Sequence, residues 1–346
     1  MKSTNAAYSF ACAYLKGEEA RTVSSEQVEG LLQRTSSIRE SLEIIKDTDL
    51  GEYLWDRPIN KVSDIDLVLW EYLHECGERL KRFRLPRDME LLLKLYLQKY
   101  DVLNVKIALR KVISKETPQP APIGDIYDMG NLDELMIAET IRDISEVLVK
   151  SDLVDYIDVL DSIKDVDRRS LIEGETRLDG RYYNKMQKSM SGMIDGGIMN
   201  IAVTTVIDLT NMAVLFRKAL EKQPESFGDF FLDGGQVFDE ATLRELSAMK
   251  HQEIVSRLEE TDYDLLAQDI VKLFDKTGTA DAVDRVMDRY KYRLLQDLLS
   301  PRVLSPCNLY WYFMVKELEI RNLRLTLKAS FDGLEPSETR EYLVAI

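Results

Sequence analysis

Asp101-Val-Leu-Asn104-Val-Lys106-Ile-Ala-Leu-Arg110 returns twice in altered form, as Asp208-Leu-Thr-Asn211-Met-Ala213-Val-Leu-Phe-Arg217 and as Glu319-Ile-Arg-Asn322-Leu-Arg324-Leu-Thr-Leu-Lys328. Each copy reads acid, two residues, Asn, five residues, base, and the Asn positions lie 107 and 111 residues apart. Acid and Asn at i and i+3 share one face of a helix. In helices otherwise this apolar, both must find hydrogen-bond partners if they are buried. A buried Asn also fixes how helices pack. Asp101/Asn104, Asp208/Asn211 and Glu319/Asn322 are therefore expected to lock helices together; the competing reading is a polar cluster that binds a ligand.

Three further sets of marks fall in the same order. Thr48-Asp49-Leu50, Ser151-Asp152-Leu153 and Thr261-Asp262-Tyr263 have their Asp residues 103 and 110 apart, and Ser/Thr-Asp is the chemistry of a helix N-cap. Leu69-Trp70-Glu71-Tyr72, Leu178-Asp179 with Tyr182-Tyr183, and Met287-Asp288 with Tyr290 and Tyr292 precede the Asn of their copy by 35, 33 and 35 residues. Glycine turns, Gly130-Asn131-Leu132, Gly234-Gly235 and Gly333-Leu334, follow each Asn-bearing helix. Four ordered trios at near-constant spacing point to three copies of one unit. The alternative is chance likeness among Leu- and Lys-rich helices, which would not carry the polar marks along with the apolar ones. The divisions are 1–118, 119–223 and 224–346, with 24–118, 132–223 and 238–335 expected to be superposable.

The rest of the chain agrees with an all-α fold. Gly (16) and Pro (9) are too sparse in 346 residues for a turn-rich sheet protein. Apolar spacing of three and four predicts amphipathic helices over Ser25–Lys46, Leu132–Lys150 and Phe238–Glu260. Longer, more apolar helices are expected over Met89–Ser114, Lys185–Lys222 and Leu309–Ala329. Breaks are expected at the proline-bearing Lys115–Ile123 and at Gln223–Gly228.

The formal net charge of −15 opposes binding to nucleic acid or anionic lipid. The densest basic run, Arg79 to Arg87, reads as a solvated helix end. Cys12, Cys76 and Cys307 are odd in number and far apart, which suits a reducing compartment. Asp195, Asn200, Asp208 and Asn211 interrupt the most apolar stretch, Met193–Phe216, so a buried helix is expected there and not a membrane span. A lipoprotein signal ending at Cys12 fits poorly, because its apolar run is short and Ser9-Phe10-Ala11 is a poor processing site.

Catalytic motifs are weak. Asp275-Lys276-Thr277-Gly278-Thr279 matches the string that P-type ATPases phosphorylate on Asp, but it follows an amphipathic helix where a buried strand is needed. A helix-to-helix turn at Gly278 is the simpler expectation. Neither Gly-x-x-x-x-Gly-Lys-Ser/Thr nor Gly-x-Gly-x-x-Gly occurs. His74-Glu75-Cys76 holds metal-ligand types whose consecutive side chains diverge on a helix. Tyr182-Tyr183 and Tyr310-Trp311-Tyr312 are expected to pack with their hydroxyls at the surface. No cofactor, metal or catalytic residue is expected.

The segment Trp311 to Lys328 resembles the signature of the C-type stalk component of archaeal and bacterial A/V-type rotary ATPases, a family whose eukaryotic members are the V-ATPase d proteins. The typical Lys-Glu-x-Glu-x-x-Asn-x-Arg run is matched by Lys316, Glu317, Glu319, Asn322 and Arg324. Asp47-Thr-Asp-Leu-Gly51 is similar to the family's Thr-Asp-Tyr/Leu-Gly turn, and Tyr100 to Lys106 to its first Asp-x-x-Asn-x-Lys helix. Two departures stand out: Ser9 to Leu15 has neither the Asn nor the Arg usual after Tyr8, and Ala213 replaces the base found at Lys106 and Arg324. The resemblance implies a funnel of three helical units about a pseudo-threefold axis, a non-catalytic coupler between the soluble central shaft and the membrane proteolipid ring. It would sit on the cytoplasmic face, held by protein partners without a lipid anchor. The remaining alternatives are a helical adaptor outside rotary ATPases and a phosphoryl-transfer enzyme using Asp275.

Overall fold

The structure, a computed structural model, describes residues 2–33, 38–59, 61–116, 118–221 and 230–344. Among these residues there are helices and turns and no strand, so the all-α expectation holds. The chain packs as two compact units.

The first unit comprises Met1–Leu97, Ala121–Ile123 and Leu295–Ile346. It contains α1 (Lys2–Glu19), α2 (Ser25–Gln33), α3 (Ile38–Ile45), α4 (Asp49–Trp55), α5 (Val62–Lys81) and the start of α6 (Arg87–Ser114). The second comprises Gln98–Pro120 and Gly124–Leu294. After the rest of α6 come α7 (Asp125–Asp128), α8 (Leu132–Ile137), α9 (Ile141–Lys150), α10 (Ile157–Asp161), α11 (Arg168–Met190), α12 (Gly196–Glu221), α13 (Glu240–Ser247), α14 (His251–Leu258), α15 (Asp264–Thr277) and most of α16 (Asp281–Leu299). The chain then returns to the first unit with α17 (Pro306–Asp332) and α18 (Pro336–Arg340).

The first unit is built on α17. Ser305 caps it by accepting from the Cys307 amide, Pro306 supplies a preset φ where no N–H is needed, and left-handed Gly333 ends it. Its Trp311, Tyr312, Phe313 and Leu318 are buried against α1, α2 and α5. Tyr96 stacks on Phe313 at 4.9 Å between ring centroids. Tyr312 is only 1% exposed, which corrects the expectation of a hydroxyl at the surface. The second unit packs Met212, Leu215 and Phe216 of α12 against Leu246, Leu266, Ile270 and Val283. Gly196–Leu220 is long and apolar enough to cross a bilayer by composition. Its Asp208 and Asn211 are nonetheless buried and bonded to neighbouring backbone within the unit.

Three expected helices are each split within the described residues; in the expected Ser25–Lys46 the stretch 34–37 lies outside them. Lys185–Lys222 is interrupted at 191–195, where Asp195 takes a left-handed φ of 54°. Leu132–Lys150 breaks after Ile137 so that Thr140 can open α9 with a capping box to Asp143. Phe238–Glu260 divides between Ser247 and His251. Apolar periodicity continues across such breaks because both pieces bury the same side. The expected break at Gln223–Gly228 lies outside the described residues. Of the three Ser/Thr-Asp marks, Thr48 is an N-cap, accepting from the Gly51 amide, whereas Ser151 ends α9 as its C-cap. Thr261 accepts from the amide of Tyr263, which itself precedes α15.

Candidate functional site: clamped junctions and a buried charge cluster

The six marked polar residues are all buried. Five of them act on incoming backbone. Asp101 accepts from the Asp125 and Ile126 amides at 3.0 and 2.9 Å, at the start of α7. Asp208 accepts from Gln236 and Val237, both at 3.0 Å, and from the Tyr263 hydroxyl. Glu319 accepts from the Val23 amide at 2.7 Å, across 296 residues of sequence. Asn211 grips Leu232 by both backbone groups, accepting from its N–H at 2.8 Å and donating to its C=O at 2.9 Å. Asn322 grips Val344 in the same manner, at 3.3 and 2.7 Å. An amide side chain with one donor and one acceptor side by side is suited to holding an extended residue this way. Asn104 is fully buried.

Two glycines make the acid contacts possible. A Cβ on Gly124 would lie 2.4 Å from Asp101 Oδ1, and one on Gly235 would lie 2.1 Å from Asp208 Oδ1. Backbone therefore lies directly on each carboxylate. The repeat marks include Gly235 and Gly130 but not Gly124, which directly precedes α7.

The bases of the three copies also find matching partners. Arg110 pairs with Glu175 at 2.5 Å, Arg217 pairs with Asp284, and Lys328 pairs with Asp66 at 2.7 Å. Each of these acids stands three residues before the apolar mark of its trio, Leu178, Met287 or Leu69. Lys106 adds a pair to Asp179 at 2.8 Å and Arg324 one to Asp66 at 2.8 Å. Ala213 has no charge to contribute. Asp66, Glu175 and Asp284 were legible as a constant offset, but acids are too common here for an offset alone to select them.

The second feature is a charge cluster in the first unit. The Asp49 carboxylate receives both terminal nitrogens of Arg79, at 2.9 and 2.8 Å, the Tyr72 hydroxyl at 2.7 Å and Lys316 Nζ at 3.4 Å. Lys316, with no exposure, also donates to Tyr72 at 2.6 Å and to Glu319 at 3.4 Å. Glu18 pairs with Arg79 at 3.2 Å. Burial works to raise the Asp49 carboxyl, yet the Arg79 bonds and the Lys316 charge hold it well below the usual carboxylate range. Burial pushes Glu319 and Glu18 up, against the nearby Lys316 and Arg79 charges. The expectation that Arg79 belongs to a solvated helix end is thus corrected: it forms a bidentate pair that a surface helix end has no reason to build. The signature residues now have places. Lys316 and Glu319 sit in the cluster, Glu317 accepts from Tyr96 at 2.7 Å, Asn322 holds Val344, and Arg324 pairs with Asp66 beneath Trp70. These groups fix positions; they tie helices and chain segments to one another.

Asp275 is exposed near the end of α15, and left-handed Gly278 stops that helix by donating its amide to Phe274 C=O at 2.7 Å.

Asp101 carries a pH prediction. Burial raises its carboxyl to about 7, although two amides act to lower it. A carboxyl raised on folding contributes stability that is complete below its unfolded value and is lost as pH rises through the folded one. Stability should therefore fall between roughly pH 4 and 7 by a component missing from Asp101→Asn, whose side-chain carbonyl can keep one amide bond. Urea unfolding of both proteins across that range checks this, and parallel profiles would sink it.

The family profile described as ATP synthase (C/AC39) subunit matches residues 11–342 of the chain. The chain is 24% identical to the C subunit of the A-type ATP synthase of Methanocaldococcus jannaschii, over 99% of this chain and 87% of that protein. It is 24% identical to the same component from Thermococcus onnurineus, over 96% and 89%. It is 23% identical to that from Haloquadratum walsbyi, over 96% of each chain.

Proposed function

Because the chain belongs to the ATP synthase (C/AC39) subunit family, we propose that it is a non-catalytic central-stalk subunit of an A/V-type rotary ATPase, joining the soluble shaft to the membrane proteolipid ring. The observation that carries this reading is the family match along 11–342, in which the A-type ATP synthase relatives are covered over most of their own length. We further propose three equivalent helical units, 1–118, 119–223 and 224–346, about a pseudo-threefold axis. In support, the base of each copy meets an acid at one fixed offset in the next copy, and the last copy meets the first. A coupler must transmit torque without local yielding. Buried charge pairs and clamped backbone resist sliding because each displacement leaves a desolvated group unpaired. The net charge of −15 favours docking with a basic shaft, faster at low salt. Attachment at the cytoplasmic face then rests on protein contacts.

The test is to deplete the chain from the intact complex and follow ATP hydrolysis and ion transport separately. Hydrolysis by the soluble head should survive and coupled transport should be lost, to be restored by adding the chain back. Persisting transport would refute the coupling role. Failure to co-purify with any rotary ATPase component would favour the adaptor reading. Asp275→Asn should restore transport within about twofold, well short of the tenfold that ~1.4 kcal/mol of barrier represents; loss of ATP turnover in that variant would return the phosphoryl-transfer reading.

A further inference from the structure

One end of the first unit is apolar and basic at once. Phe10 of α1 stands 56% exposed, and Phe10 and Tyr14 meet Phe83 of the α5–α6 turn at 5.4 and 4.6 Å between ring centroids. The turn before α17 is tied to α1 as well. Asn308 donates to Cys12 C=O at 3.3 Å and to Val303 C=O at 3.4 Å, and Cys12 Sγ lies 3.9 Å from Ser305 C=O. That turn presents Val303 and Leu304, 47% and 62% exposed. Three segments far apart in sequence, 9–15, 82–87 and 300–305, thus meet at α1. They hold four arginines and no acid, in a chain of net charge −15. Arg82 pairs with Glu75 at 3.3 Å. Arg84, Arg87 and Arg302 are exposed and form no ion pair among the described residues. Asp88, next along the chain, accepts from the buried Tyr8 hydroxyl. Apolar side chains gathered at a surface and rimmed by charge mark an interaction site, which singly scattered ones do not.

We propose that this end of the first unit is a docking surface for an acidic segment of a partner protein that carries an apolar side chain. The inference rests on the stalk reading, and within it assigns this surface to the membrane-ring side, because a basic shaft would be repelled by the arginines. Arginine and aromatic residues without lysine are the composition of protein interface cores. Each guanidinium can take a carboxylate through two parallel bonds. Phe10, Val303 and Leu304 would cover the partner's apolar side chain. A lipid surface fits less well. A flat anionic sheet feels the acidic remainder of the chain over a Debye length of ~8–10 Å, whereas a short segment meets the arginines alone.

The test measures binding of the full chain to two probes: the detergent-solubilised membrane sector freed of this chain, and the soluble head with its shaft. Two variants are compared with the parent, Arg84→Glu/Arg87→Glu and Val303→Ser/Leu304→Ser. All four side chains are exposed, so both variants should keep the parent's thermal midpoint. Each should bind the membrane sector at least about tenfold more weakly and bind the head and shaft within about twofold of the parent. Parent binding to the membrane sector should also weaken with salt, and the arginine variant should lose most of that dependence. Unchanged binding of both variants to the membrane sector overturns this inference and leaves the stalk reading standing. Loss at the head and shaft instead overturns the assignment of the surface to the ring side. A parent chain that binds neither probe overturns the stalk reading and this inference together. A third arm uses protein-free vesicles of phosphatidylglycerol and phosphatidylcholine, to which the parent should not bind. Vesicle binding by the parent that is lost in the arginine variant would make the occupant a lipid surface and overturn the protein partner.

Discussion

Lys316→Met should lose about 3–5 kcal/mol of stability at neutral pH, the range for removing one partner of a buried ion pair. Lys316 is fully buried and lies within 3.4 Å of both Asp49 and Glu319. Methionine fills most of the volume, so packing changes little and the deficit is chiefly electrostatic. Without the ammonium, Glu319 keeps only the Val23 amide, and its folded pKa, already raised by burial, rises further. Asp49 loses part of what holds it low. Both changes have the same sign. A further-raised Glu319 is at no disadvantage below its unfolded value and costs stability as pH climbs. A less-depressed Asp49 forfeits stability that the parent has above its own unfolded value. The deficit should therefore be larger at pH 8 than at pH 5. Urea unfolding at the two values measures it, and a deficit that is small or independent of pH would show that Lys316 does not neutralise this cluster.

Gly51→Ala should cost about 3 kcal/mol or more, beyond the ordinary overpacking penalty because the obstacle is main chain. A Cβ at Gly51 would lie 1.8 Å from the Ile45 carbonyl oxygen and 2.4 Å from its carbon. No side-chain rotation relieves that contact. The turn from Ile45 to Gly51 would have to open, breaking the Thr48 cap, in which the threonine hydroxyl accepts from the Gly51 amide and donates to Ile45 C=O. Asp49 sits in the same turn, so the charge cluster would lose its central carboxylate. Gly17→Ala is the control: it lies in α1 with nothing within 4 Å of an added Cβ, and it should be neutral or stabilising by about 0.5–1 kcal/mol. Thermal unfolding of the two variants compares them. Similar midpoints would mean that the turn around Gly51 is looser than its geometry.

Helical character, the period of about 105–110 residues and the polar marks Asp101, Asn104, Asp208, Asn211, Glu319 and Asn322 are local properties, written in composition and spacing, and they were legible in the linear sequence. Burial of those marks was also legible, because an acid and an Asn on an apolar helix face have to be satisfied somewhere. Where they are satisfied was not. Glu319 meets Val23 and Lys316 meets Asp49 across 296 and 267 residues, and nothing in either neighbourhood announces the other. Arg79 read as surface for the same reason: a basic residue among bases looks solvated until a helix from elsewhere brings Asp49 to it. Helix breaks such as 191–195 were missed because periodicity reports which face is buried and not whether the backbone is continuous. Local periodicity records the free energy of burying a face against any partner. The choice of partner is made by long-range packing, where a desolvated charge is stable only in the one arrangement that pairs it.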